Sequence, residues 1–316
     1  MTPLAPILMT PAFRYGAMTP WGGDDLARLY HKPIPDPRTG ESLEVSAIPG
    51  LESRDAEGAS LPELLARYGA RLRGEGVGET FPLLLKLLDA RETLSVQVHP
   101  DDAYAARVEH KLGKTEAWHI LSAAPGAELV YGVQPGTSKE ALLAASQAGA
   151  AVEKLLRRVP VRVGETYYIP AGMVHAIGAG IVLYEIQQSS DVTYRFYDWN
   201  RTDKNGKKRE LHLQKAVDVT DVGAQLTAAR ETPLEPGHFQ LLHEKYFTLE
   251  RFAGFSGTLP RDSRRFAILT ATGPCALSWP EGALEMAPGQ TALLPADGFD
   301  LVLRAEGALL SYPTME

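Results

Sequence analysis

The order Gly, hydrogen-bond acceptor, Thr, three apolar or aromatic residues, Pro, Ala occurs twice in this chain, as GETYYIPAG at 164–172 and as GQTALLPADG at 289–298. A strand repeated together with its turn signals means a repeated supersecondary unit, so the echo predicts two related β-barrel modules in one chain. The rest of the sequence agrees. With 29 Gly and 23 Pro in 316 residues, turns are too frequent for long helices, and a mainly β fold with a few helices follows. A connection rich in Pro and Gly, TPLEPGH, places the boundary near residue 235, giving modules at 1–235 and 236–316.

Within this frame, residues 1–60 read as short strands and loops. Leu recurs at helical spacing in LPELLARYGARLRG, 61–74, which predicts the first helix. Strands follow from Phe81 to Val98, where TLSVQVH alternates with the period of a half-buried strand, then through Glu116–Leu121 and AELVYGV. A second helix is expected over 138–158, with Ser138 as its cap and Gly149 as a break. The chain then returns to strands in VRVGETYYIPAG, IVLYEIQQ and VTYRFYDW. After them TDKNGKKRE reads as a turn, and LHLQKAVDVTD as a short helix.

Charge and cysteine content narrow the function. A formal charge of −7 argues against non-specific nucleic-acid binding, which requires a broad basic face, and local Lys and Arg would have to attract any anionic ligand. The single Cys275 forms no intramolecular disulfide and excludes a tetrathiolate metal site. MTPLAPILMTPAFRYGAM lacks a basic segment ahead of its apolar residues, and the apolar runs, such as FPLLLKLL, are too short to span a bilayer. A soluble cytoplasmic protein with no membrane partner is expected.

Gln97 and His99 stand two apart on a predicted strand, so their side chains leave the same face and can converge on one ion. Glu116 on the next strand and His175 after the GETYYIPAG hairpin complete a Gln, His, Glu, His set of the kind that suits Zn²⁺. The second module is chemically empty by the same reading. His175 lies five residues after Pro170, whereas Asp300 stands five after Pro295, and no His follows Phe247. A structural barrel covering the first is the expected role of the second.

The segments FPLLLKLLDARETLSVQVHPDD, GKTEAWHIL, YYIPAGMVHAIG and EIQQSSDVTYRFYDWNR strongly resemble the type I phosphomannose isomerases, metal-dependent enzymes of the cupin fold. WGG at 21–23 and TGESLEVS at 39–46 fit the same family, although Leu43 stands where its members carry Trp. The likeness runs from about residue 20 to about 220. Glu116 and His175 are too close in sequence to hold the helical domain of long-form members, so the chain is similar to the short bacterial form.

The resemblance implies two cupin-like jelly-roll modules, the second degenerate, and interconversion of mannose 6-phosphate and fructose 6-phosphate through an enediolate. It implies one Zn²⁺ per chain on Gln97, His99, Glu116 and His175, and a monomer or homodimer. Lys114, two before Glu116, points toward the metal from the same strand face; Arg195, Asp191 and Glu185 match the family's active-site segment; Lys86 and Ser95 match substrate-pocket positions. A cationic Lys114 and Arg195 would stabilise the enediolate or hold the phosphate. Asp191, Glu185, a metal-bound water and Lys114 all remain candidates for the general base. Two rivals share the pocket: a cupin oxygenase with His99, Glu116 and His175 on Fe²⁺, and a non-catalytic sugar-phosphate sensor.

Overall fold

The computed structural model describes residues 2–202, 205–224, 229–259 and 261–315. Two sheets face each other to make the first barrel. One runs Ala12–Tyr15, Thr39–Val45, Leu83–Ala90, Ile181–Gln188, Glu116–Ala123, Thr166–Ile169 in spatial order; the other runs Tyr194–Tyr197, Val96–Val98, His175–Ile177, Glu128–Val133, Leu156–Pro160. Every pairing is antiparallel. Strand alternation then assigns each residue a side. Leu83, Leu85 and Leu87 face away from the barrel into a core shared with the C-terminal module, while Leu84, Lys86 and Leu88 face its interior pocket.

The second sheet is covered on its outer side by the helices Lys139–Gln147 and Leu213–Val219. Val96, Val98, Val130 and Phe196 pack there on Leu142, Ala216 and Val217. Between the two sheets lie Trp118, Ile120, Leu129, Tyr131, Leu183 and Ile177, an apolar plug at the closed end of the barrel.

The third sheet runs Ile7–Met9, Thr291–Leu294, Ala267–Ala271, Val302–Pro313, Phe247–Thr258, His238–His243, Thr232–Glu235, with the hairpin Cys275–Trp279 and Gly282–Met286 attached to Val302–Pro313. From Thr291–Leu294 onward this repeats, strand for strand, the order of the first sheet read from Thr166–Ile169. The repeated phrase is a repeated turn. Gly164 and Gly289 both adopt left-handed backbone, φ +89° and +88°, which glycine enters without steric cost. Glu165 accepts a hydrogen bond from the Arg162 amide at 2.8 Å, and Gln290 accepts one from the Ala287 amide at 2.7 Å, so the acceptor position serves the same purpose in both copies.

The helices show where local pattern suffices. Leu61–Tyr68 starts at a capping box, in which the Ser60 hydroxyl accepts from the Glu63 amide and the Glu63 carboxylate accepts from the Ser60 amide; a second turn, Ala70–Arg73, follows. Lys139–Gln147 is capped by Ser138 and ends before Gly149, φ +74°. Residues 156–158, expected to be helical, instead open the strand Leu156–Pro160, which gains its hydrogen bonds by pairing with Glu128–Val133. One short helix, Asp25–Tyr30, lies where only strands and loops were expected: six residues are too few to show a period, and Leu26 is its buried residue. The TDKNGKKRE segment turns back on itself through a bridge between Thr202 and Lys208, although Asp203 and Lys204 lie outside the described residues.

Candidate metal centre and pocket

Register explains which side chains meet. Gln97 lies directly opposite His175 on one neighbour and Arg195 on the other, so these three project as a row from one sheet. On the facing sheet Glu185 lies opposite both Lys86 and Trp118, and Glu116 lies opposite Ile169 and Gln187. The two rows face across the barrel interior.

His99, Glu116 and His175 are fully buried, and one potential ligand atom from each lies within 4.8 Å of the others. His99 Nδ1 donates to the Val192 carbonyl at 2.9 Å and His175 Nδ1 to the Met173 carbonyl at 2.8 Å, which leaves both Nε2 atoms as lone-pair donors toward the interior. Burial depresses both imidazoles, His175 to about 3, so both are neutral and their closeness to Glu116 is no salt bridge. His99 Nε2 stands 3.6 Å from one Glu116 oxygen and His175 Nε2 stands 3.4 Å from the other. The two spacings end on different carboxylate oxygens, and one atom from each residue gathers within 4.8 Å of the others, close enough to converge on one ion with modest side-chain movement.

Glu116 itself carries the strongest signal. Among the described residues neither oxygen accepts a well-angled hydrogen bond although both are fully buried; the Lys114 ammonium stands 2.7 Å from one of them, and the charges of Lys86 and Glu185 also act on the group. Burial, reinforced by Glu185, pushes its carboxyl up to about 7. A buried carboxylate left this way is a costly arrangement that a cation would relieve. The residues present therefore fit a divalent metal. Gln97 joins them through its amide, whose Nε2 lies 3.3 Å from His175 Nε2 and whose Oε1 accepts from Ser95; turning the amide over exchanges the two atoms.

Above the cluster opens a pocket of about 120 Å³. Lys86, Ser95, Gln97, Lys114, Glu185, Asp191 and Arg195, every remaining residue singled out from the sequence, line it. Lys114 precedes the strand Glu116–Ala123 rather than lying on it, yet its ammonium reaches His99 Nε2 at 3.0 Å. Glu185 accepts from Lys86 at 2.9 Å and from the Trp118 indole at 3.0 Å. Burial alone would raise its pKa, but Lys86 and Lys114 outweigh it and hold Glu185 ionised at about 2. Burial likewise opposes the charge on Lys86, and Glu185 and Glu41 overcome it. Asp191 sits at the rim, paired with Lys111 at 2.6 Å. Among the described residues the buried Arg195 Nε has no partner, and burial together with nearby Arg209 lowers the Arg195 pKa.

Sequence reasoning missed four contributors. Arg14 pairs with Glu41 at 3.1 Å, and Glu41 lies 3.8 Å from Lys86. Arg209 lines the pocket with both donors on Asp198 at 2.7 Å. Trp118 was discoverable, since it shares the Glu116 face two residues on. Nothing local marks Arg14 or Arg209, which stand outside the motif segments.

Among the described residues no helix is long and apolar enough to cross a membrane. A cupin-type barrel that sets two neutral imidazoles and a carboxylate beneath a polar, cationic pocket defines a small-molecule site able to hold a metal. The comparisons with known proteins agree. Residues 16–118 match the family model for the phosphomannose isomerase type I catalytic domain. Mannose-6-phosphate isomerase from Streptococcus mutans is 44% identical over 212 residues, 66% of each chain, and mannose-6-phosphate isomerase ManA from Bacillus subtilis is 43% identical over 222 residues, 69% of this chain and 68% of that one. The crystal structure of the mannose 6-phosphate isomerase from Bacillus subtilis superposes with a TM-score of 0.90 at 34% identity, covering 98% of this chain and 99% of the other. The chain belongs to the type I phosphomannose isomerases, a family of sugar-phosphate isomerases.

Proposed function

We propose that the chain interconverts mannose 6-phosphate and fructose 6-phosphate by moving a proton between C2 and C1 of the open-chain sugar, with one Zn²⁺ held by Gln97, His99, Glu116 and His175. The observation that carries the reading is the buried Glu116 carboxylate, without well-angled hydrogen bonds, between two neutral imidazole nitrogens at the base of a cationic pocket. Nitrogen and carboxylate donors of this kind suit zinc. When bound, the ion supplies Lewis-acid polarisation of the sugar carbonyl.

The chain's own residues supply the rest. Around the pocket Arg14, Lys86, Lys114 and Arg209 are each paired with a carboxylate, and Arg195, with no ion pair among the described residues, is the cation placed to attract a dianionic phosphate despite the net charge of −7. Lys114, at the metal cluster, neutralises charge developing on the substrate oxygens. Arg195, whose Nε has no partner among the described residues, brings a guanidinium fork suited to phosphate, whereas the fork of Arg209 is taken up by Asp198. Glu185, held ionised by Lys86, is a weak proton acceptor and serves to fix the Lys86 ammonium. Asp191 is paired with Lys111 at the rim. Ser95 orients the Gln97 amide. A cytoplasmic setting fits a phosphorylated substrate and the buried free Cys275, and a division near residue 235 leaves Ile7–Met9 and Thr232–Glu235, which precede it, in the sheet of the companion module.

A coupled assay for fructose 6-phosphate on metal-quantified protein tests the reading. Turnover of mannose 6-phosphate with one zinc per chain, abolished by chelation and restored by Zn²⁺, is expected, with poor turnover of free mannose. Binding without turnover by fully metallated protein would turn the reading into a sensor, and oxygen consumption with bound iron would turn it into an oxygenase.

A further inference from the structure

The C-terminal barrel reaches the segment that carries Lys114 through the Tyr246 hydroxyl. Tyr246, in the turn between His238–His243 and Phe247–Thr258, donates to Asp102 Oδ2 at 2.7 Å. Asp102 opens the helix Asp102–Val108 of the catalytic barrel, and its other oxygen accepts from the Gly113 amide and from the Gln188 side chain, both at 2.9 Å. Gln188 in turn accepts from the Thr115 amide at 2.9 Å. The two amides flanking Lys114 are thus both held by the Asp102–Gln188 pair, and the Lys114 amide itself donates to the Pro100 carbonyl at 2.9 Å. The packing is as close as the bonding: a Cβ on Gly113 would stand 2.5 Å from the Asp101 carbonyl carbon and the Asp102 nitrogen. Lys114 precedes its strand, so its backbone is placed by this bracket together with the Gln188 amide, which donates to the Thr115 carbonyl at 3.1 Å, while its ammonium rests on Glu116 and His99.

We propose that Tyr246, acting through Asp102 and Gln188, is a positioning residue for Lys114, so that the C-terminal barrel serves catalysis by clamping the segment that aims this ammonium at the metal cluster. The proposal rests on the role given to Lys114 above. Tyr246 is suited to it because its ring packs against the core shared by the two modules, and its hydroxyl therefore arrives from a rigid surface. Lys245 assists, donating to the same hydroxyl at 3.3 Å.

The test is a double-mutant cycle on the holoenzyme with amide exchange read alongside. Tyr246→Phe removes only the hydroxyl and should lower kcat about three- to tenfold with KM within about twofold and metal content unchanged, because misplacement of one charge acts on the transition state. Amide exchange at Gly113 and Thr115 should quicken. Asp102→Asn, which keeps one acceptor oxygen, should fall in the same direction. In a Lys114→Met background Tyr246→Phe should cost no further activity, an outcome that general loosening of the fold would not produce. Undiminished protection of Gly113 and Thr115, or the same loss with and without Lys114, would overturn the clamp. Full activity of Lys114→Met alone would overturn the role of Lys114, while quickened exchange in Tyr246→Phe would still support the bracket.

Discussion

The two barrels share a strand order and differ in what fills them. Register makes the comparison residue by residue. Glu116 lies opposite Ile169, five positions after Gly164, and Ala267 lies opposite Leu294, five after Gly289, so Ala267 occupies the place of the metal-facing carboxylate. Trp118, Glu185 and Lys86 form one row of the first barrel; Leu269, Leu310 and Glu250 form its counterpart in the second. Leu269 and Leu310 belong to a closed apolar core with Phe252, Leu277, Leu294 and Leu303. Glu250 alone keeps a charge, and it is occupied by His238 at 2.8 Å and by the Tyr312 hydroxyl. A small barrel accepts either filling, because its backbone pairing is the same and only the interior positions change. The chemistry therefore resides in a handful of side chains, and the fold does not depend on them.

If that division is right, the largest effects on activity come from the first barrel. Glu116→Ala should lower turnover by about a thousandfold or more and lower metal content with it, read by elemental analysis beside the coupled assay. A variant with full metal and activity would remove Glu116 from the centre. Next comes Arg195→Lys, which keeps the charge and loses the fork: a drop of about tenfold to a thousandfold on mannose 6-phosphate is expected, consistent with about 1.4 to 4 kcal/mol. Retention of the small activity on free mannose would assign Arg195 to the phosphate; parallel loss would assign it to the reacting oxygens.

The same truncation in the second barrel should behave differently. Leu269→Ala leaves a cavity in a closed core and should cost about 2–5 kcal/mol of stability in denaturant, with kcat at a permissive temperature within about twofold. A selective loss of kcat without a loss of stability would break the comparison.

His119 probes the seam between the barrels. It is buried on the face opposite Glu116 and bonds Thr166 Oγ1 at 2.9 Å; burial, with a smaller contribution from Arg251, lowers its pKa to about 4. The folded pKa lies below the unfolded value of about 6.5, so the unfolded chain binds this proton first. Stability is complete above about pH 6.5 and declines as pH falls toward 4, by up to about 3 kcal/mol. His119→Gln should flatten that stretch of the stability–pH curve; an unchanged slope would place the acid sensitivity elsewhere. The smallest effect is expected at Asp300, five after Pro295 as His175 is five after Pro170, whose side chain is 96% exposed. Asp300→Asn should leave melting temperature and turnover unchanged.

Much of this was legible beforehand because it is written in short-range pattern. Gln97 and His99, Glu116, and His175 sit in segments whose alternation or turn residues declare a strand or a bend, and the repeated phrase at 164 and 289 announced two copies of one unit. The strand Ile181–Gln188 coincides with the segment read as IVLYEIQQ. Legibility failed where an element was too short for a period, as at Asp25–Tyr30, or where pairing outweighed propensity, as at Leu156–Pro160.

What the sequence determined by itself is the alternation that puts Lys86, Glu116, Trp118 and Glu185 on one side of their strands, and the donor types that suit a metal. What only the tertiary structure decided is which of those faces meet. Arg14 and Arg209 reach the pocket from segments with no motif, Ile7–Met9 pairs with Thr291–Leu294 at the far end of the chain, and Tyr246 comes to lie 2.7 Å from Asp102. The reason is physical. A strand's own residues dictate its two faces, whereas its partner is chosen by burial and hydrogen bonding summed over surfaces distant in sequence, which no window along the chain contains.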